Sequence, residues 1–198
     1  MKIVIIKIKK NNIKKIKKKI IKLGYLPKIS YKKKYILTSN KIIIHSNLNI
    51  NFTINYLKKK NIYTILKLIN KPILAISTGL HILCYKYLNK KCLNIFKNVL
   101  VKKILNINNH NEKNIGKKKI YHNNDDIILN GVNRNSFYQY FNHNDYINIG
   151  KYTIAHTNHI LSYSAILKKK NIYGVQFFPE KSGVLGDKII KNFIELVN

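Results

Sequence analysis

Acidic residues are scarce in this chain: Asp and Glu together number 7 against 38 Lys and Arg, a formal charge of +31 over 198 residues. Arginine is scarcer still, Arg134 being the single one, although its planar fork is the group that best matches phosphates and guanine edges. A basic chain so poor in arginine, with lysine spread along its whole length, argues against specific nucleic-acid binding. Tryptophan is absent while Lys, Asn, Ile and Tyr abound. These are residues with A/T-rich codons, so the composition reads as codon bias that loads every solvated face with lysine. Such a charge still opposes compaction and favours an acidic partner. Cysteine is limited to Cys84 and Cys92, which fit no disulfide or metal framework, so a reducing, cytoplasmic compartment is expected and no metal or other cofactor is implied. No apolar run reaches the ~18 residues of a spanning helix, so no membrane association is expected. The opening MKIVIIKIKK lacks a small-residue cleavage site and reads as a first strand rather than a signal peptide.

What is present is organised in alternation. Residues 1–6 form a buried strand, and Ile13, Ile16, Ile20 and Leu23 then recur at helical spacing after Asn11 and Asn12, which can cap. Gly24 ends that helix. KIIIH at 41–45 is a second buried strand, 53–69 predicts a helix, ILAIS at 73–77 a third strand, and Leu80 to Leu88 a further helix. This order argues an α/β fold with a parallel sheet covered on both faces. In the second half, 106–126 reads as loops with short strands. Strands are expected at 136–141, 151–156, 163–167 and 171–177, in mixed or antiparallel pairing, and an amphipathic helix at 186–197. No repeat or linker interrupts the chain, which predicts a single domain over 1–198.

Two stretches carry chemistry. In ILAISTGLHIL a buried strand runs straight into a helix through Ser77-Thr78-Gly79, the kind of sharp turn that exposes a nucleophile near helical N–H groups. About a hundred residues later, GVQFFPEKSG turns from an apolar strand into Pro179 and Glu180. Strand-to-helix turns rich in Ser, Thr and Gly are common, so it is the order of the parts that informs.

KPILAISTGLHIL followed by GVQFFPEKSGVLGDKIIKNFIEL resembles the class I glutamine amidotransferases, and within them the glutaminase subunits of imidazole glycerol phosphate synthase. Further likeness lies in KIVII with Asn12, LGY at 23–25, the Lys71-Pro72 start of the elbow strand, His122, and His143 in YFNHNDY. The resemblance implies a three-layer α/β/α sandwich with a mostly parallel central sheet and an antiparallel part in the second half. It implies hydrolysis of glutamine to glutamate and ammonia by a cysteine, histidine and glutamate. Ammonia then passes to a cyclase partner subunit, in histidine and purine synthesis.

Carried over position by position, the family's cysteine falls on Ser77, its histidine on Phe178 and its glutamate on Glu180. Its substrate-binding glutamine falls on His81, near Gly79, and its glycine-containing oxyanion loop on His45-Ser46-Asn47-Leu48. The early glycine-rich turn has become Lys7-Ile8-Lys9-Lys10. Asn12, His122 and Lys181 are the positions expected to face the partner. A serine hydroxyl stays protonated without a matched base, and phenylalanine cannot be one. The glutaminase step is therefore expected to be lost or very weak, with glutamine or free ammonia as the nitrogen source and Glu180, lacking an imidazole to orient, left as a helix-terminal charge or an ion-pair partner. Two other readings stay open. One is a non-enzymatic subunit that only stabilises the cyclase. The other is a serine hydrolase in which Ser77 is served by Asp125, Asp126 or Asp145 and by His143, His156 or His159.

Overall fold

A computed structural model describes residues 1–8, 13–104, 114–122, 125–133 and 136–198. Asn11 and Asn12, expected as caps, lie outside these residues, as does Asn12's suggested role at an interface.

In chain order the elements are β1 (Ile3–Ile6), α1 (Lys14–Lys22), β2 (Lys28–Ser30), α2 (Lys33–Leu37), β3 (Lys41–Ser46), α3 (Ile50–Lys59), α4 (Tyr63–Leu68), β4 (Ile73–Ser77) and the single turn α5 (Thr78–His81). They continue with β5 (Lys86–Tyr87), β6 (Lys90–Lys91), β7 (Leu100–Lys103), β8 (Asn114–Tyr121), β9 (Ser136–His143), β10 (Asp145–Ile147), β11 (Thr153–Asn158), β12 (Ser162–Lys169), β13 (Ile172–Val175) and α6 (Gly183–Glu195). A 3-10 turn, Pro179–Lys181, joins β13 to α6.

The main sheet runs β2-β1-β3-β4-β13-β12-β11-β8-β9. Its first five strands are parallel and the remaining pairings antiparallel. A second sheet has the order β10-β7-β5-β6. This is the α/β fold with a mixed sheet that the alternation predicts.

The continuous apolar runs have a simple cause: each central strand is buried on both faces. Along β1, Ile3 and Ile5 join one core with Ile16 and Ile20 of α1 and Ile189, Ile190, Phe193 and Ile194 of α6. Val4 and Ile6 join the other, with Ile36 of α2, Ile54 and Leu57 of α3, Leu66 of α4 and Leu80. Side chains alternate across the strand, so one short run serves two helical layers.

Several expectations need correction. The helix expected over 53–69 is two helices, broken where Asn61 adopts φ 54°. Ile62 N–H bonds the Leu57 carbonyl and Asn61 N–H the Lys58 carbonyl, the paired bonds that close a helix around a left-handed residue. Gly24, at φ 87°, does the same for α1. The helix expected over Leu80–Leu88 stops after one turn. The carbonyls of Ile82, Leu83 and Cys84 instead accept from Leu93, Ile95, Phe96 and Asn94, so a returning segment takes the bonds a helix would have used. Within 106–126, residues Asn114–Tyr121 form one long strand rather than loops with short ones.

Candidate active site

Three adjacent parallel strands, β3, β4 and β13, end side by side, and their carboxyl ends carry the residues in question. That edge of a parallel sheet is where α/β folds present ligand sites. On β4, Ser77 sits at φ 55°, ψ −121°, a conformation that L side chains adopt at a cost of about 1–3 kcal/mol. The elbow is therefore real. It is held from behind, because a Cβ at Gly79 would overlap the main-chain carbonyl of Ile44 in β3. Only a glycine lets the turn lie this close to its neighbour. Ser77 is only 3% exposed, and among the described residues no side chain hydrogen-bonds its hydroxyl.

Phe178 is buried, and its N–H donates to the Tyr140 carbonyl at 2.8 Å. Its ring lies 5.8 Å from that of His45, at 59°. Two residues on, in the 3-10 turn, Glu180 turns inward rather than standing as a helix-terminal charge. His45 Nε2–H donates to its Oε1 at 2.8 Å, with side chains only 3% and 2% exposed. The expectation that Glu180 lacks an imidazole is thus corrected: it has one, supplied by β3. His45 follows Ile43 by two residues on that strand and so shares its α1/α6 face. The other oxygen, Glu180 Oε2, is buried without a hydrogen-bond partner among the described residues.

The segment aligned with the oxyanion loop is tied up internally. Ser46 Oγ lies 3.1 Å from Thr53 Oγ1 and accepts the Leu48 N–H at 3.3 Å. Asn49 caps α3, accepting from Asn51 and Phe52. These bonds engage the Leu48, Asn51 and Phe52 N–H groups.

His81, on the turn after Ser77, is buried and donates through Nε2 to Gln176 Oε1 at 2.8 Å. Gln176 lies one residue past the last β13–β4 pair, Val175 with Ile76. Burial lowers the His81 pKa, and the Asp145 charge and the Gln176 bond oppose that only in part. His143, on β9, is pushed down to about 3, first by burial and then by the neighbouring His81, while a backbone bond at Asp145 opposes and His159 adds a little. Tyr87 rises to about 12 through burial and the charge and hydrogen bond of Asp145. His81 Nδ1, Gln176 Nε2, His143 Nδ1 and Asp145 Oδ1 are buried without partners among the described residues.

Among the described residues, none of the groups weighed for a serine hydrolase hydrogen-bonds the Ser77 hydroxyl, and several are engaged elsewhere. Asp126 accepts from Lys168 Nζ at 2.5 Å and from Tyr173 OH at 2.9 Å. His156 stacks on Tyr121, and His159 Nδ1 lies 3.5 Å from Lys118 Nζ. His143 lies between Asn114 and Tyr163.

His122 belongs to a different part of the sheet. It follows β8, which is separated from β4 by β13, β12 and β11. Its Nε2–H donates to the Asn133 carbonyl at 2.7 Å, and its ring packs on Phe137. Lys181 lays its ammonium over the rings of Phe178 and Tyr140, at 4.6 and 5.2 Å. Ser182 Oγ donates to the Phe178 carbonyl and accepts from Tyr140 N–H, so this block is tied to β9.

Sequence reasoning missed the His45–Glu180 pair. The available signal was a histidine near the end of the apolar run in KIIIHS, in phase with Ile43.

Residues 6–196 match the family described as glutamine amidotransferase class-I. The chain is 33% identical over 188 residues to imidazole glycerol phosphate synthase subunit HisH of Buchnera aphidicola subsp. Acyrthosiphon pisum, covering 93% of this chain and 94% of that one. It is 34% identical over 203 residues to the HisH subunit of Blochmanniella floridana, covering 99% and 100%. Among solved structures, PurLQS from Thermotoga maritima superposes with a TM-score of 0.73 at 12% identity, covering 100% of this chain and 99% of that chain. A glutamine amidotransferase from the same organism gives 0.69 at 11%, covering 98% and 81%. The chain belongs to the class I glutamine amidotransferases, and the two relatives named above are HisH subunits.

Proposed function

We propose that this class I glutamine amidotransferase chain is the amidotransferase subunit of an imidazole glycerol phosphate synthase, in histidine biosynthesis, and docks on a cyclase subunit. Its own glutamine hydrolysis is lost or very weak, so the cyclase works on ammonia from another source. Supporting the partner assignment are the near full-length HisH relatives and the PEKS block, which is fixed against β9.

The observation that carries the catalytic part is the set of groups at the elbow. Hydrolysis of a primary amide by a nucleophile needs a base to take its proton and donors for the oxyanion. Ser77 keeps the elbow geometry but has a hydroxyl in place of the family's thiol, and among the described residues no base hydrogen-bonds it. Phe178 offers no proton acceptor, and Glu180 is engaged by His45. Loss of a positioned base alone costs about 10²–10⁴-fold, and dismantling such a unit up to about 10⁶-fold.

The test is turnover by the complex of this chain with its cyclase, using glutamine or an ammonium salt. The expected result is turnover with ammonium and, with glutamine, a rate lower by about 10⁴-fold or more than an intact triad supports. Substantial glutamine-dependent turnover that Ser77→Ala abolishes would overturn the catalytic part. Failure to bind any cyclase would overturn the partner. A complex that forms but leaves ammonium turnover unchanged from that of the cyclase alone would reduce the role to stabilisation.

A further inference from the structure

The carboxylate of Glu180 and the imidazole of His45 lie 135 residues apart in sequence and meet at 2.8 Å with almost no solvent access. A buried carboxylate is strongly disfavoured unless it is paired and hydrogen-bonded. In a chain whose residue 178 is phenylalanine, Glu180 could persist inward only if another group took its charge. His45 is in the right place for that. It stands at the carboxyl end of β3, on the α1/α6 face, with its ring beside that of Phe178.

We propose, building on the functional reading above, that His45 is a positioning residue. It has replaced the residue-178 imidazole as the partner of Glu180, joins β3 to the turn before α6, and competes with any base restored at 178. The pair is a structural clasp rather than a relay: Glu180 Oε1 is held by β3, so a base restored at 178 would find only Oε2 open and would share a carboxylate already bonded to His45. Reversing the changes at 77 and 178 then leaves the site incomplete, because Glu180 still answers to His45.

Two measurements on the isolated chain test this. The first is a melting-temperature cycle over His45→Leu, Glu180→Leu and both together. Removing one partner leaves a buried polar group unpaired, whereas replacing both with apolar groups of similar size is close to neutral. Each single variant is therefore expected to melt several degrees below the double. Additive losses would overturn the clasp.

The second is an NMR titration of the histidine introduced by Phe178→His, alone and combined with His45→Leu. With His45 gone, the introduced imidazole gains Glu180 and is expected to titrate at least about one pH unit higher, since an adjacent carboxylate favours the charged form. Equal titration in the two backgrounds would overturn the competition. Neither measurement involves a cyclase, so failure to bind one would sink the functional reading and leave this inference standing.

Discussion

Leu80 fills the space directly over Gly174: a Cβ built on that glycine would overlap the Leu80 side chain. The contact joins the turn after the elbow to β13, the strand that leads to Phe178 and Glu180, so it sets how the halves of the site meet. Gly174→Ala is expected to cost about 1–3 kcal/mol, as overpacking does. That lowers the melting temperature by roughly 2–4 °C per kcal/mol in a domain of this size. Because the obstruction is a side chain, Leu80→Ala in the same chain should relieve it. The double variant should lose clearly less than the sum of the two single losses, and a strictly additive result would refute the contact.

Ser77 holds a left-handed backbone conformation although it has a side chain. Relaxing that strain is worth about 1–3 kcal/mol, against about 0.5–1 kcal/mol of extra chain entropy for glycine. Ser77→Gly is thus expected to raise stability by about 1 kcal/mol, visible as a higher denaturant midpoint at unchanged slope. A lower midpoint would mean that the strain is not stored there.

Much of this architecture was readable from residue pattern, and the exceptions have physical causes. The middles of β1, β3 and β4 are continuous apolar runs because both of their faces are covered, and Gly24 marks the end of α1 because a glycine there is strongly favoured. Asn61 performs the same turn without announcing it, since asparagine tolerates that conformation but does not require it. The helix expected after the elbow failed for a different reason: its carbonyls are taken by residues 93–96, a pairing invisible to local periodicity. The site shows the same contrast. Ser77 and Gly79 were legible because a sharp turn dictates residue type. His45 was not, because its partner lies in the turn after a strand distant in sequence and only the folded sheet brings the two together.

His143 gives the chain a predictable acid response. Its folded pKa is about 3 against an ordinary 6.5, so between those values the unfolded state binds more protons. Stability is then fully present above about pH 6.5 and falls as pH drops towards 3, by up to about 1.4 kcal/mol per pH unit for one group. His81, also lowered by burial, adds in the same direction, while the Asp145 charge limits its share. Unfolding midpoints measured from pH 7.5 to about 4 should fall steadily, and His143→Phe should flatten that slope. An unchanged slope in the variant would assign the acid sensitivity to other groups.

The excess of lysine makes a prediction about salt. With 38 basic and 7 acidic residues, few of the lysines can be matched by a carboxylate. Lys19 with Asp187 at 2.7 Å and Lys191 with Glu195 at 3.8 Å are partly exposed pairs that contribute little. Some ammonium groups rest on aromatic faces instead, as Lys60 does over Tyr31 at 4.6 Å and Lys28 over Tyr35 at 4.9 Å. Net self-repulsion should therefore outweigh attraction at low ionic strength, and screening should relieve it, since the Debye length shrinks from about 30 Å at 0.01 M to about 10 Å at 0.1 M. The melting temperature is expected to rise on raising sodium chloride through about that range and then level off. Chloride is the right salt for the measurement, because sulfate would also strengthen apolar burial and confuse the cause. A melting temperature that falls with salt would mean that the few ion pairs outweigh the repulsion. The lysines would then contribute to holding the fold rather than burdening it.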